Sequence, residues 1–200
     1  KQFIKKKEKW YERNVNISRP GNHFFVDIIS DKKKIEKKIG FQITTKQKFI
    51  EFSPLGLQYL KTISKKINNK GGGILILDYG YYDKEMKNTL KSIIKHNYDN
   101  ILDNFNKSDI TYNINFNFME KLLTKLNLNI SGYTNQRRFL INLGILKRAE
   151  IISKKLPFSK KTDIYLRLKR LIDENLMGKL FKVILATNKN IIFKTGFENW

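Results

Sequence analysis

Gly71-Gly72-Gly73-Ile74-Leu75-Ile76-Leu77-Asp78-Tyr79-Gly80-Tyr81 decides how the rest of the chain is read. Three glycines open it as a turn, an unbroken apolar run follows, and an acid, an aromatic and a glycine close it. A run of that length between turn signals reads as a strand buried on both faces. Open α/β sheets place their ligands at the carboxyl ends of such strands, which is where Asp78 falls. Strands without any chemistry also end this way, so the residues alone leave Asp78 open between a functional and an inert role.

Working outward, Ser53-Pro54 reads as a helix start, with Ser53 as N-cap and Pro54 at the first helical position. Leu57, Leu60, Ile63 and Ile67 recur at helical spacing, and Asn68 to Gly71 stop the helix. This helix and the glycine-led strand form one αβ unit. Met119, Leu122, Leu123 and Leu126, followed by a short strand over Leu128 to Tyr133, form a second, with Asn115 as its candidate cap. Further helices are expected over Asn135 to Leu140, over Ile145 to Leu156 with Ala149 and Ile152 toward the core, and around Ile164, Leu168 and Leu171. Leu180 to Ala186 reads as a strand with Ile191 to Phe193 pairing back as a hairpin.

Before Glu51 the chain looks β-rich and antiparallel. Gln2 to Ile4 and Trp10 to Ile17 form a strand pair around a lysine-rich turn, with Trp10 as a core anchor. Ser18 to Asn22 is a turn, Phe24 to Ile29 a strand, and Phe41 to Thr44 extended again. Asp31 to Lys38 is open between a short helix and a loop. Tyr82 to Lys95 is open between a helix and a long segment over the sheet end.

The 200 residues suffice for a domain with a real core. No cysteine is present, which excludes disulfides and thiolate chemistry, and 2 histidines argue against a histidine metal site. No stretch reaches the roughly 20 apolar residues of a membrane helix. The chain opens at Lys1 inside core-type sequence, which reads as a fragment of something longer. The net charge of +22 comes mainly from lysines spread along the chain with abundant Ile and Asn. That pattern reads as A/T-rich codon bias, and nucleic-acid binding is disfavoured because no arginine cluster or stacking module accompanies it. Asp78, Asp109 and Glu51 stand near element boundaries as candidate pocket carboxylates, with caps or surface turns as the plainer reading, preferred for Glu51. Tyr79, Tyr81 and Tyr82 would build a pocket wall. There is no G-x-G-x-x-G and no P-loop.

Six segments in order carry a resemblance. They are Gln2-Phe3-Ile4 with Trp10-x-Glu12-Arg13; Ile76-Leu77-Asp78-Tyr79-Gly80; Asn88-Thr89-Leu90 with His96; Asp109-Ile110-Thr111 with Phe116; Thr134-Asn135-Gln136-x-x-Phe139-Leu140-x-x-Leu143-Gly144-Ile145; and Met177-Gly178-x-Leu180-Phe181-Lys182-Val183. In this order and spacing the chain resembles the MidA-like class I methyltransferases that bind S-adenosylmethionine, a family with mitochondrial arginine methyltransferases and bacterial homologues. The resemblance implies an α/β fold: an incomplete Rossmann-like methyltransferase sheet with an antiparallel β insertion. Residues 1–50 would be the insertion and 51–200 the later αβ units of a single partial domain. It further implies S-adenosylmethionine as the cofactor of complete homologues and a protein arginine as acceptor. Asp78 and Asp109 would be the catalytic pocket carboxylates, and Tyr79, Gly80, Thr111 and Gln136 would line the substrate pocket. The compartment would be the cytoplasm for a bacterial protein and the mitochondrial matrix for an organellar one.

The departures are specific. The family's glycine-rich cofactor loop, the acid after its second strand and its Asn-Glu-Phe-Phe-Asp-like segment have no counterpart. Asn113 replaces a histidine, Asn115 an aspartate and Asn88 a glycine. An amide cannot serve as their acid or base at neutral pH. The expectation is therefore weak or no activity for this chain alone, which reads as part of a longer protein or as the remnant of a decayed or split gene, with an N-terminal half supplied by another chain as one alternative. Two rival readings remain: a scaffold that completes a fold with such a partner, marked by an exposed apolar sheet edge beside residues 74–77, and a basic nucleic-acid binder, marked by a continuous positive stripe.

Overall fold

The computed structural model describes residues 1–19, 21–104 and 106–198. In chain order the strands are β1 (Gln2–Lys6), β2 (Lys9–Arg19), β3 (Asn22–Ser30), β4 (Phe49–Glu51), β5 (Gly73–Tyr81), β6 (Lys91–Ile94), β7 (Asn97–Asp99), β8 (Asp109–Thr111), β9 (Ile114–Asn115), β10 (Asn129–Asn135) and β11 (Phe181–Thr187). The helices are α1 (Lys32–Ile39), α2 (Pro54–Lys70), α3 (Phe116–Lys125), α4 (Gln136–Asn142), α5 (Ile145–Ser153) and α6 (Phe158–Ile172), and a π-type turn spans Glu174–Gly178. They form two compact units: residues 1–59 with 83–115, and residues 60–82 with the chain from 116 onward.

In the first unit an antiparallel sheet has the order β3-β2-β1-β4. Phe3, Trp10, Ile35, Ile39 and Ile50 are buried in it, so Trp10 is the core anchor its sequence context indicates. Asp31 caps α1 by accepting from the Lys33 N–H at 2.9 Å, and Gly40 ends it at φ +83°. Phe41 to Thr44 forms no strand. The Ile43 N–H donates at 2.7 Å to the Glu36 carboxylate, and that donor is lost to any ladder. A second antiparallel sheet has the order β7-β6-β8. The 82–95 segment therefore ends in a strand, with no helix. Lys95 and His96 both take positive φ, +45° and +68°, as a two-residue hairpin turn requires. Of the turn expected over Ser18 to Asn22, Pro20 lies outside the described residues.

The second unit is built on β10-β11-β5, with β11 antiparallel to both neighbours. Val183, Ile184 and Ala186 of β11 are fully buried. Val183 and Leu185 pack with Phe139 of α4 and with Phe197. Alternation turns Ile184 and Ala186 to the other face, and α3 lies against β10, β11 and β5 with Phe116 and Leu123 buried. Ser53 bonds the Gly56 N–H at 3.0 Å and Pro54 opens α2, as its sequence signals require. Gly144 separates α4 from α5 at φ +81°. Ala149 of α5 is buried, whereas Ile152 faces out.

The structure corrects the sequence reading of β5. The strand is not buried on both faces: Leu75, Leu77 and Tyr79 are 46%, 41% and 44% exposed, and the alternate residues Ile74, Ile76 and Asp78 only half-buried. Within its unit β5 is an edge strand, paired by β11 on one side and by no other strand of the unit. Residues 191–193 also form no hairpin strand. The Ile191 N–H closes a turn onto the Asn188 carbonyl at 3.0 Å, and the Ile191 carbonyl accepts from the Thr187 hydroxyl at 3.1 Å. The chain then folds back so that Phe197 lies over Gly132, at a bulge in β10.

A Cβ at Gly132 would stand 2.2 Å from the Phe197 ring, so Gly132→Ala is expected to cost about 1–3 kcal/mol by chemical denaturation. In a Phe197→Ala background the added cost of Gly132→Ala should nearly vanish, because the two changes share one contact.

Candidate active site

β5 and β10 both run antiparallel to β11, so they run parallel to each other and their carboxyl ends share one end of the sheet. This is the ligand-binding end of an open α/β sheet. The register places Asp78, Lys182 and Asn135 in one cross-strand row, with Tyr79 beside Phe181. Asp78 is half-buried, and its carboxylate accepts from the Tyr79 N–H at 2.7 Å. The Tyr79 and Phe181 rings stand 4.1 Å apart. Gly80 continues β5 beyond them. Burial, and then the neighbouring Lys179 charge, lowers the pKa of Lys182, whose ammonium donates to the Lys179 carbonyl.

On the α3 side of the same end stands a group that sequence reasoning did not assemble. The Tyr82 hydroxyl donates to the Glu120 carboxylate, and Asn117 hydrogen-bonds the same hydroxyl. Those bonds to Glu120, followed by burial, raise the Tyr82 pKa. The Tyr82 ring lies 4.6 Å from Tyr133, which is 6.0 Å from Phe116. Burial first, and then Tyr82 and Glu120, pushes the Tyr133 hydroxyl up to about 12. Glu120 sits between core positions of an amphipathic helix and carries no sequence signal of its own.

Gln136 opens α4, capped by Asn135, which accepts from the Arg138 N–H at 2.9 Å. The buried Gln136 amide donates to the Leu171 carbonyl at 2.9 Å, and Arg137 donates to the Ile172 carbonyl at 2.8 Å. Both side chains hold the end of α6, whose last carbonyls have no partner inside the helix. Asp109 and Thr111 belong to the first unit, on β8, and both are exposed.

The first unit has its own carboxylate centre at Glu51. The sequence reading preferred a cap or surface turn there; the structure buries it. Glu51 accepts from the Gln2 amide at 2.7 Å, the Thr89 N–H at 3.1 Å and the Thr89 hydroxyl at 2.6 Å. The Gln2 amide also donates to Asn88 at 3.1 Å, and the Asn113 N–H donates to the Thr89 hydroxyl at 2.9 Å. The Asn115 amide donates to the carbonyls of Asp83 and Glu85 at 3.1 and 3.2 Å. The asparagines at positions 88, 113 and 115 thus stand in or beside a polar network that ties β1 and β4 to the segment before β6. Three donors to one buried carboxylate offset its desolvation.

Among the described residues, no group of three or more His, Asp or Glu is placed to hold a metal, and no helix is long and apolar enough to cross a membrane. A cavity of about 320 Å³ lies at the amino end of β10, between Asn129 to Ser131 and the Ile192, Phe193 and Phe197 segment, away from the carboxyl ends.

Residues 1–134 match the family described as "Putative S-adenosyl-L-methionine-dependent methyltransferase", and the chain belongs to that family. It is 29% identical over 106 residues to the mitochondrial protein arginine methyltransferase NDUFAF7 of Xenopus tropicalis, covering 53% of this chain and 24% of that protein. With NDUFAF7 of Danio rerio it shares 23% identity over 189 residues, covering 94% of this chain and 44% of that protein. The chain thus spans less than half the length of these relatives. Its fold matches a crystal structure of an uncharacterized protein from Burkholderia thailandensis with a TM-score of 0.81 at 21% identity, over 99% of this chain and 54% of that one. A second structure from that organism, described as a "likely methyl transferase" bound to S-adenosyl-homocysteine, matches with a TM-score of 0.73 at 24% identity, over 94% of this chain and 49% of that one. The α/β architecture is that of a Rossmann-like class I methyltransferase with an antiparallel insertion.

The nucleotide-binding cradle of such sheets is a glycine-rich strand-to-helix turn. In the second unit the strand-to-helix junction is Asn135-Gln136, which has no glycine. Gly71 and Gly72, at φ +81° and +98°, lie on the reverse junction, from helix to strand. The described residues do not build that cradle.

A tyrosine pKa raised in the folded state supports folding below the unfolded value of 10 and withdraws that support as pH rises through the folded value. Ultraviolet titration should show one tyrosine ionising near 12, absent in Tyr133→Phe, with stability falling between pH 10 and that value. Glu120→Gln should return Tyr82 toward its ordinary range.

Proposed function

We propose that this chain is the acceptor-side half of an S-adenosylmethionine-dependent methyltransferase, completed by a polypeptide that carries the cofactor-binding strands. The observation that supports this most is the open apolar face of β5. Leu75, Leu77 and Tyr79 stand in solvent on one face of a nine-residue strand, and the solved relatives carry about as much chain again. An uncovered apolar face is the natural place for further chain to pack. In this reading the completing half brings the glycine turn, and this chain brings the wall against which the acceptor nitrogen is aligned. Asp78 and Tyr79 stand at the carboxyl end of β5. Gln136 of the same unit holds the α4–α6 corner. A carboxylate-lined site fits a cationic acceptor, and the arginine methyltransferases among the relatives point to a protein arginine.

Calorimetric titration of S-adenosylmethionine tests this with the chain alone and with a polypeptide matching the relatives' amino-terminal half. Saturable heat only in the mixture is expected. Binding by the chain alone would overturn the missing-cradle argument. No heat in either sample, with both shown to be folded, would favour the scaffold reading.

A further inference from the structure

The corner between α5 and α6 joins an exposed aromatic ring to unopposed positive charge. It reads Lys154-Lys155-Leu156-Pro157-Phe158-Ser159-Lys160-Lys161, four lysines in eight residues with no acid. Phe158 is 84% exposed. Leu156 and Lys161 are half-buried and the other residues of the corner are exposed, so it forms a protrusion and not a groove. Pro157 is extended, at ψ 159°, and turns the chain so that Phe158 opens α6 at the tip. Tyr165, seven residues on, returns to the Phe158 face and is also exposed.

Two carboxylates stand near in sequence. Glu150 is already held by Lys147 at 2.9 Å and by Lys154 at 3.8 Å. Asp163 lies about 140° around α6 from Phe158. Among the described residues no carboxylate pairs with Lys155, Lys160 or Lys161. The first turn of α6 has no acid and no capping side chain, so the positive end of the helix dipole adds to the field of the lysines.

The other lysine runs differ. Lys5 to Lys9 and Lys32 to Lys38 each contain a glutamate, and Lys5 pairs with Glu8 at 3.1 Å and Lys32 with Glu36 at 3.6 Å. The apolar residue inside the second run, Ile35, is buried in its own unit. At the α5–α6 corner the charge has no internal partner and the apolar residue has no cover.

Charge and shape together select the occupant. Lysines without carboxylates call for an anion. The eight residues contain no arginine, the side chain that forks onto a single phosphate or carboxylate. The exposed ring calls for an apolar medium just beyond the anionic layer. A bilayer containing anionic lipid offers both at the required depths, headgroup phosphates above acyl chains. Lysine stems reach the phosphates while the ring passes between them.

We infer that the α5–α6 corner docks this protein on anionic membrane surfaces. Phe158 enters the boundary between headgroups and acyl chains, and Lys154, Lys155, Lys160 and Lys161 meet the lipid phosphates.

Sedimentation of the 200-residue chain with phosphatidylcholine vesicles, with and without phosphatidylglycerol, provides the test. Binding is expected only with the anionic lipid. A charge of +22 draws the chain to any anionic surface, so position is the deciding readout. Lys155→Glu with Lys160→Glu should lower partitioning by more than about tenfold in moderate salt, since each basic residue at such a surface contributes about fivefold. Lys33→Glu with Lys37→Glu makes the same change in net charge at exposed positions of α1 and should lower it by about twofold or less. Phe158→Ala should weaken binding, and Ile192→Ala, which removes a side chain 86% exposed, should not. The chain has no cysteine, so an environment-sensitive dye attached to Ser159→Cys should shift to the blue on vesicles, and the same dye on Ile192→Cys should not. All these changes fall on exposed side chains, so far-ultraviolet spectra should match the wild type. Equal losses from the two lysine pairs, or an unshifted dye at residue 159, would overturn the proposal. So would tighter binding to polyuridylate that needs the corner lysines and not Phe158, which would assign the corner to a nucleic acid. Cofactor titration is a separate measurement, so failure here leaves the methyltransferase reading standing.

Discussion

The second unit depends on one pairing: β11 laid antiparallel between β5 and β10. This central strand is the most deeply buried element of the unit, with Val183, Ile184 and Ala186 out of solvent. Because it opposes both neighbours, it makes them parallel and brings their carboxyl ends to one place. The Asp78–Lys182–Asn135 row and the neighbouring tyrosines follow from that register. A slip of one residue in β11 would turn Lys182 to the other face and break the row.

The first unit solves a different problem. Its sheet is held by Phe3 and Trp10, but its connection to the segment before β6 is polar and centres on Glu51. Burying a carboxylate is costly unless its oxygens are fully bonded. Gln2 and Thr89 meet that demand from residues far apart in sequence. The Asn88 and Asn115 amides take part in this network without bringing a charge to it. Uncharged amides suit a structural network better than proton transfer.

β5 and β3 are both long strands without lysine in a lysine-rich chain. Elsewhere several of the ion pairs are between exposed groups of small energetic weight.

Much of the architecture was legible in the sequence because it rests on local signals. Ser53-Pro54 begins α2, Asp31 caps α1, Gly40 and Gly144 end helices, and apolar spacing places α3 and α6. The family was legible for the same reason: short motifs keep their order. Other features required the tertiary structure. An apolar run looks identical whether one face of its strand is covered or both, so the exposure of Leu75 and Leu77 depended on what packs against the sheet. Phe41 to Thr44 has strand-like residues but lost its backbone donor to the Glu36 side chain. Ile152 fits a helical stripe yet faces solvent, which spacing alone does not reveal. Glu51 and Glu120 owe their roles to Thr89 and Tyr82, neither of which is near in sequence. Local sequence sets what each segment can be; only long-range pairing decides which faces are covered and which carboxylates find donors.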